Sequence, residues 1–285
     1  MTDLGPIREP APAKLNLFLR VVRRRDDGYH DVETAVQPVT LADGVEASPS
    51  EDLQLVVVGP EAEGVPRGSD NLVIRAARAL AEEAGIGPRA RLLVAKKVPV
   101  AAGLGGGSAD AAAALRALNE LWGCGLGADL LAGVAARVGS DVPALVYGGP
   151  VLARGRGERV GPVEVARTWW VLVTQAFGVS AADAYRWWDE DGGVTGPDPA
   201  VLLEALRAGD VEAVAGLAFN DLEAPVAGRH LQIEEARGAL RSAGALRALL
   251  CGSGPTVAGL CRDGPHAEEV AAAVGGIAVG SIGAR

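Results

Sequence analysis

The chain has 285 residues, 49% of them hydrophobic, and 27 basic against 36 acidic side chains give a net charge of −9. That length and apolar content suit one large or two medium domains with a sizeable core, and they exclude wholesale disorder. The acidic balance excludes a broad nucleic-acid face, which needs a basic surface, but leaves room for a small local anion site.

From the N-terminus, Met1 to Pro12 holds three prolines and no apolar run, so an irregular lead-in without a secretory leader is expected. Leu15, Leu17, Leu19 and Val21 then alternate with Lys14, Asn16, Phe18 and Arg20. Period two predicts a strand with Lys14 and Asn16 on one face. Arg23 to Gly28 reads as a charged turn, and a second extended stretch runs from Val32 to Leu41. Further strands are expected at Leu53–Val58 and Leu92–Ala95, and a helix at Asn71–Ala84 with Gly85 as its stop. Helices follow at Ser108–Trp122 and Ala128–Val138.

Gly148 to Val165 carries seven glycines or prolines and is the expected domain boundary, dividing the chain into 1–155 and 156–285. Beyond it come a strand (Trp169–Thr174) and three helices (Ala181–Asp189, Pro199–Ala208, Val211–Leu217). A helix (Leu231–Ala243), two strands (Leu246–Leu250, Thr256–Cys261), a helix (Pro265–Val274) and a strand (Ile277–Ser281) complete the chain. With the three inserted helices set aside, the order is β-α-β-β-α-β, that of a ferredoxin-like domain. No window of about 18 uncharged apolar residues exists, so no membrane span is expected. Cys124, Cys251 and Cys261 are too scattered for a disulfide framework, and His30, His230 and His266 for a metal site. A reduced, cytoplasmic protein is expected.

The segment from residue 99 to 109 is the most informative: Pro99, Val100, Ala101, Ala102, Gly103, Leu104, Gly105, Gly106, Gly107, Ser108 and Ala109. Four glycines bare the backbone at the start of a helix, whose first N–H groups and dipole favour an anion such as a polyphosphate. Ser108 could cap that helix, or face a phosphate oxygen or magnesium. The loop is neither a Walker A motif, because none of the chain's three lysines (Lys14, Lys96, Lys97) follows a glycine, nor a dinucleotide fingerprint, because residue 108 is serine. Lys96 and Lys97 precede the loop, and at least one of them is expected in solvent. Asp141, in Gly139-Ser-Asp-Val-Pro143, is either a helix N-cap or a carboxylate that accepts a proton from a substrate hydroxyl beside a cation such as Lys14.

Pro12-Ala-Lys-Leu-Asn16, Asp27-Gly-Tyr-His30, the Gly103–Ala109 loop, Gly139-Ser-Asp-Val-Pro143 and Gly252-Ser-Gly-Pro-Thr256 occur in that order. Together they resemble the superfamily of galactokinase, homoserine, mevalonate and phosphomevalonate kinases. The Ala-Lys-Leu-Asn start and the Asp-Gly-Tyr-His turn most resemble its branch acting on a cytidine-diphosphate-linked methylerythritol in the non-mevalonate route to isoprenoid precursors. The resemblance implies an α+β fold of two domains, an N-terminal ATP-binding domain and a C-terminal ferredoxin-like domain, with the catalytic site between them. It implies ATP and Mg2+ as cofactors and transfer of a phosphoryl group to a substrate hydroxyl, giving a 2-phosphate and ADP. It assigns Lys14 and Asp141 as the catalytic pair, residues 99–109 with Asn71 and Lys96 to the nucleotide, and Asn16, Tyr29 and His30 to the cytidine. Tyr185 or Trp187 would cover the other face of the base. A homodimer is the assembly held open. The rivals are another kinase of the superfamily, acting on homoserine, mevalonate or a sugar, and a non-catalytic nucleotide-binding protein.

Overall fold

A computed structural model describes residues 5–283. Its strands are β1 (Ile7–Arg24), β2 (His30–Ser48), β3 (Gln54–Val58), β4 (Arg91–Ala95), β5 (Val151–Gly155), β6 (Arg159–Pro162), β7 (Trp169–Val173), β8 (Arg247–Leu250), β9 (Val257–Cys261) and β10 (Ile277–Gly280). Its helices are α1 (Leu72–Ala84), α2 (Gly106–Leu121), α3 (Ala128–Ala136), α4 (Val142–Val146), α5 (Ala181–Glu190), α6 (Ala200–Ala208), α7 (Val211–Leu217), α8 (Glu223–Ala227), α9 (Leu231–Ser242) and α10 (Gly264–Val274).

The chain divides into two compact units that are discontinuous in sequence. The first comprises the described part of Met1–Ala13 with Leu41–Val100 and Gly105–Gly148; the second comprises Lys14–Thr40, Ala101–Leu104 and the described part of Gly149–Arg285. In the first unit β3 runs parallel to β4, and β4 pairs antiparallel with the Gly44–Ser48 stretch of β2. Helix α1 packs on α2. The alanine run 111–114 is fully buried with Leu115 and Leu118, because methyl-sized side chains let a neighbouring helix approach closely. Asn71 caps α1: its side-chain oxygen accepts the Val73 N–H at 2.8 Å, and Gly85 ends the helix in the left-handed region.

In the second unit the Val32–Val36 stretch of β2 pairs with β5, and β5 with β6. The C-terminal sheet has the order β10-β7-β9-β8, antiparallel throughout. Numbered within that sheet the order is 4-1-3-2, and with α9 and α10 as its connections this is the ferredoxin-like arrangement expected from the element order. Leu240, Val257, Cys261, Ala267 and Val270 fill its core.

One expectation is corrected, and one stretch holds strands that were not foreseen. The proline-rich lead-in is the beginning of β1 from Ile7. Pro10 and Pro12 are two apart, so the missing N–H groups fall on one edge and the other edge keeps its ladder. The glycine-rich stretch 148–165 carries two strands in register Val151↔Pro162 through Arg154↔Arg159, joined by a turn with Gly155 and Gly157 at positive φ. Helices α4 and α8, five residues each, were too short to show a helical period.

Candidate active site

Lys14 and Asn16 share a face of β1, as the alternation predicts, and both are buried. The Lys14 ammonium donates to Asn16 Oδ1 at 2.7 Å and to the Gly103 carbonyl at 3.0 Å. Asn16 Nδ2 donates to Thr34 Oγ1 at 2.8 Å, which fixes its amide so that the oxygen faces the lysine. The Lys14 backbone N–H bonds the Leu104 carbonyl at 2.9 Å, so the same residue holds the glycine loop by main chain and side chain.

A second loop, Gly252-Ser-Gly-Pro-Thr256, seats the first. A Cβ at Gly103, whose φ is +76°, would lie 2.3 Å from the Cys251 carbonyl oxygen and 2.7 Å from that of Gly254. A Cβ at Gly252, with φ +55°, would lie 2.9 Å from Lys14 Nζ and 3.2 Å from Asn16 Oδ1. Backbone approach this close excludes any side chain at either position. Asn220 holds the second loop by donating Nδ2 to the Leu250 and Gly252 carbonyls at 2.9 and 2.7 Å. Ala101 sits at φ +55°, a strained conformation for a residue with a Cβ.

At the other end of the loop, Gly105 is the left-handed N-cap of α2 and offers no side-chain cap bond. Ser108 therefore lies within the first helical turn rather than at the cap, and the turn keeps N–H groups for an anion. Beneath it Lys96, 2% exposed, bonds both Asp43 and Asp110, the latter at 2.8 Å. Asp43 also accepts the N–H groups of Lys97 and Val98, which lead into the loop. Burial pushes the Asp110 carboxyl up to about 7, Lys96 opposes that, and Asp43 adds to it as a like charge. Asp110 Oδ1 is buried without a partner. Lys97 is exposed, so one of the two lysines is in solvent as expected. Asp43 and Asp110 escaped the sequence reading. An acid inside the alanine run of α2 is the one signal that could have found Asp110; Asp43 gives none.

Asp141 stands at the N-cap position of α4, yet its exposed side chain makes no cap hydrogen bond. The simple capping role is thus not the one its carboxylate performs. Asn71 is a cap, and its Nδ2 is tied to the Pro66 carbonyl at 2.6 Å.

Around the Gly-Tyr-His turn, the His30 ring stacks on Tyr185 at 4.9 Å and 19° and meets the edge of Trp188 at 5.7 Å. Trp187 instead lies 5.7 Å from His230, with Arg186 and Arg229 over its ring. Of the two aromatic candidates, Tyr185 is the one brought to His30. Tyr29 is 55% exposed under the Arg156 guanidinium. Among the described residues no group of three or more His, Cys, Asp or Glu side chains is placed to hold a metal ion, and no helix is long and apolar enough to cross a membrane.

A buried lysine binding a glycine loop, and that loop opening a helix, suit a protein that holds polyphosphate and moves a phosphoryl group. The family model of the GHMP kinases N-terminal domain matches residues 71–149, and that of the GHMP kinases C-terminal domain matches residues 202–278. The chain belongs to the GHMP kinase family and is a small-molecule kinase.

Within that family it is similar to several kinases that share one name. It is 44% identical to the 4-diphosphocytidyl-2-C-methyl-D-erythritol kinase of Salinispora arenicola, over 94% of this chain and 87% of that protein. It is 42% identical to the enzyme of the same name from Nocardia farcinica, over 96% of this chain and 91% of that one. The crystal structure of a 4-(cytidine 5'-diphospho)-2C-methyl-D-erythritol kinase superposes with a TM-score of 0.81 at 35% identity, covering 98% of this chain and all of that one. A homoserine kinase from Cytophaga hutchinsonii shares the fold, with a TM-score of 0.76 at 19% identity, 100% of this chain and 96% of that one.

Proposed function

We propose that this chain transfers the γ-phosphoryl group of ATP to a hydroxyl of 4-diphosphocytidyl-2-C-methyl-D-erythritol, giving the 2-phosphate and ADP, in the non-mevalonate pathway to isoprenoid precursors. The observation that carries the reading is the Lys14 ammonium, bonded to Asn16 and to the carbonyl of Gly103 in the glycine loop. One of its three hydrogens holds the loop, one is taken by Asn16, and the third is left for the reacting groups.

Lys14 and Asp141 act as the catalytic pair. Asp141 accepts the proton of the attacking hydroxyl, for which an exposed carboxylate free of capping duty is suited. Lys14 orders Asp141 and offsets charge on the transferring group. The N–H groups of Gly103 to Ser108 hold the phosphates, and Asn71 and Lys96 line the nucleotide side. Asn16, Tyr29, His30 and Tyr185 take the cytidine. Trp187 lies against His230 instead. Magnesium fits as an ion brought by the nucleotide, which keeps most of its waters and needs only one or two protein oxygens. Ser108, on the first turn of α2, is the residue that would hold it, and the ion would offset phosphate charge. The two-domain division at 155/156 belongs to the same reading; the two family matches fall on either side of it. So do a cytoplasmic location, consistent with three free cysteines, and assembly as a homodimer, to be tested by sedimentation.

The expected outcome is ATP-dependent turnover of the cytidine-linked alcohol by the wild-type chain, with Asp141→Asn folded but slower by about 10²–10³-fold in kcat. Near-normal kcat in Asp141→Asn would remove the proposed base. Nucleotide binding without turnover of any alcohol would favour the non-catalytic alternative.

A further inference from the structure

His30 is clamped on three sides. Its side chain is 7% exposed, with Tyr185 stacked on its face and the edge of Trp188 against it. Trp188 is itself held by its indole N–H donating to the Val194 carbonyl at 3.1 Å. The third contact is polar: Nε2 lies 3.0 Å from Asp189 Oδ1. The other carboxylate oxygen, Oδ2, lies 3.5 Å from Arg24. Tyr185, Trp188 and Asp189 all stand on α5, so one helix sets the position of the ring.

An ionised carboxylate can only accept, so Nε2 must carry the hydrogen in this contact. Arg24 is a positive partner of Asp189. In the Nε2–H tautomer it is Nδ1 that is the bare acceptor. No hydrogen bond joins Nδ1 to any described residue.

That acceptor distinguishes two pyrimidines. Cytosine offers a hydrogen from its 4-amino group; uracil carries an oxygen there, whose lone pairs would face the lone pair of Nδ1. We propose that Asp189 is a specificity-determining positioning residue: by holding the Nε2–H tautomer of His30, it makes Nδ1 the acceptor that selects a cytosine over a uracil base. The inference rests on the proposed cytidine-linked substrate and on His30 meeting the base.

The test is made on the full chain with the Asp189→Asn variant, whose amide can donate to Nε2 and so favours the opposite tautomer. The chain has only three histidines, so 15N-resolved NMR of their ring nitrogens is tractable, with His30 assigned by its loss in His30→Asn. The wild type should show His30 as the Nε2–H tautomer, and Asp189→Asn should shift it toward Nδ1–H. In parallel, the ratio of kcat/KM for the cytidine-linked over the uridine-linked alcohol should fall about tenfold or more in the variant, while KM for ATP stays put. A merely structural role would lower both substrates alike and leave the ratio unmoved, and that result would overturn the proposal. So would a wild-type His30 found as Nδ1–H. Absence of wild-type turnover on the cytidine-linked alcohol would overturn the substrate reading instead, and the tautomer measurement would still decide the role of Asp189.

Discussion

Lys14 is one of three lysines among 27 basic residues, and its surroundings give a reason for an ammonium there. Nζ sits between Asn16 Oδ1, the Gly103 carbonyl and the bare Cα of Gly252. A planar guanidinium is wider and donates in a fixed fork, so it cannot occupy this gap without displacing a loop. Lys14→Arg should therefore reduce kcat by about 10²-fold, with overpacking costing about 1–3 kcal/mol in urea unfolding. Wild-type kcat in Lys14→Arg would show that charge alone suffices. The pairing of Lys14 with Asn16 was legible from residue spacing, because a strand has only two faces. The hold of Asp189 on His30 was not, because their 159-residue separation gives no periodic signal.

The glycine loop works as an element because buried groups fix both of its ends. Lys14 and the Gly252–Thr256 loop hold Gly103 to Leu104, while the Lys96, Asp43 and Asp110 cluster holds the chain entering at Lys97 and Val98. Two carboxylates around one buried ammonium are tolerable only while that ammonium is present. Lys96→Met should cost about 3–5 kcal/mol of stability, since it leaves like charges buried without compensation. Asp110→Asn should cost about 1 kcal/mol or less, since it removes one of them. Urea unfolding of both variants checks the difference; equal costs would contradict the account. Sequence pattern predicted the helix after the loop but placed its start at Ser108. The left-handed Gly105 begins it two residues earlier, a backbone choice that side-chain periodicity does not report. Strands β5 and β6 were hidden for a related reason: their glycines and prolines read as breakers, while pairing of β5 to β2 and of β6 to β5 overrides that local preference.

At the scale of the whole molecule, the ferredoxin-like order of the C-terminal sheet was readable because helix and strand periods alternate cleanly there. The division into compact units was not. Residues 14–40 belong with the C-terminal unit, and strands of 18 and 19 residues, β1 and β2, contribute to both units. Local pattern marks elements, whereas unit membership is set by contacts distant in sequence. A net charge of −9 is compatible with binding polyphosphate because the proposed anion site is built from backbone N–H groups and buried lysines, not from a basic surface. The central claim is that these parts make a kinase for a cytidine-linked alcohol, and substrate profiling by 31P NMR tests it most directly. With Mg·ATP and the cytidine-linked alcohol, the account predicts a new phosphate-monoester resonance appearing in step with ADP, and none with homoserine, mevalonate or a free sugar. A monoester formed on one of those three and not on the cytidine-linked alcohol would contradict it.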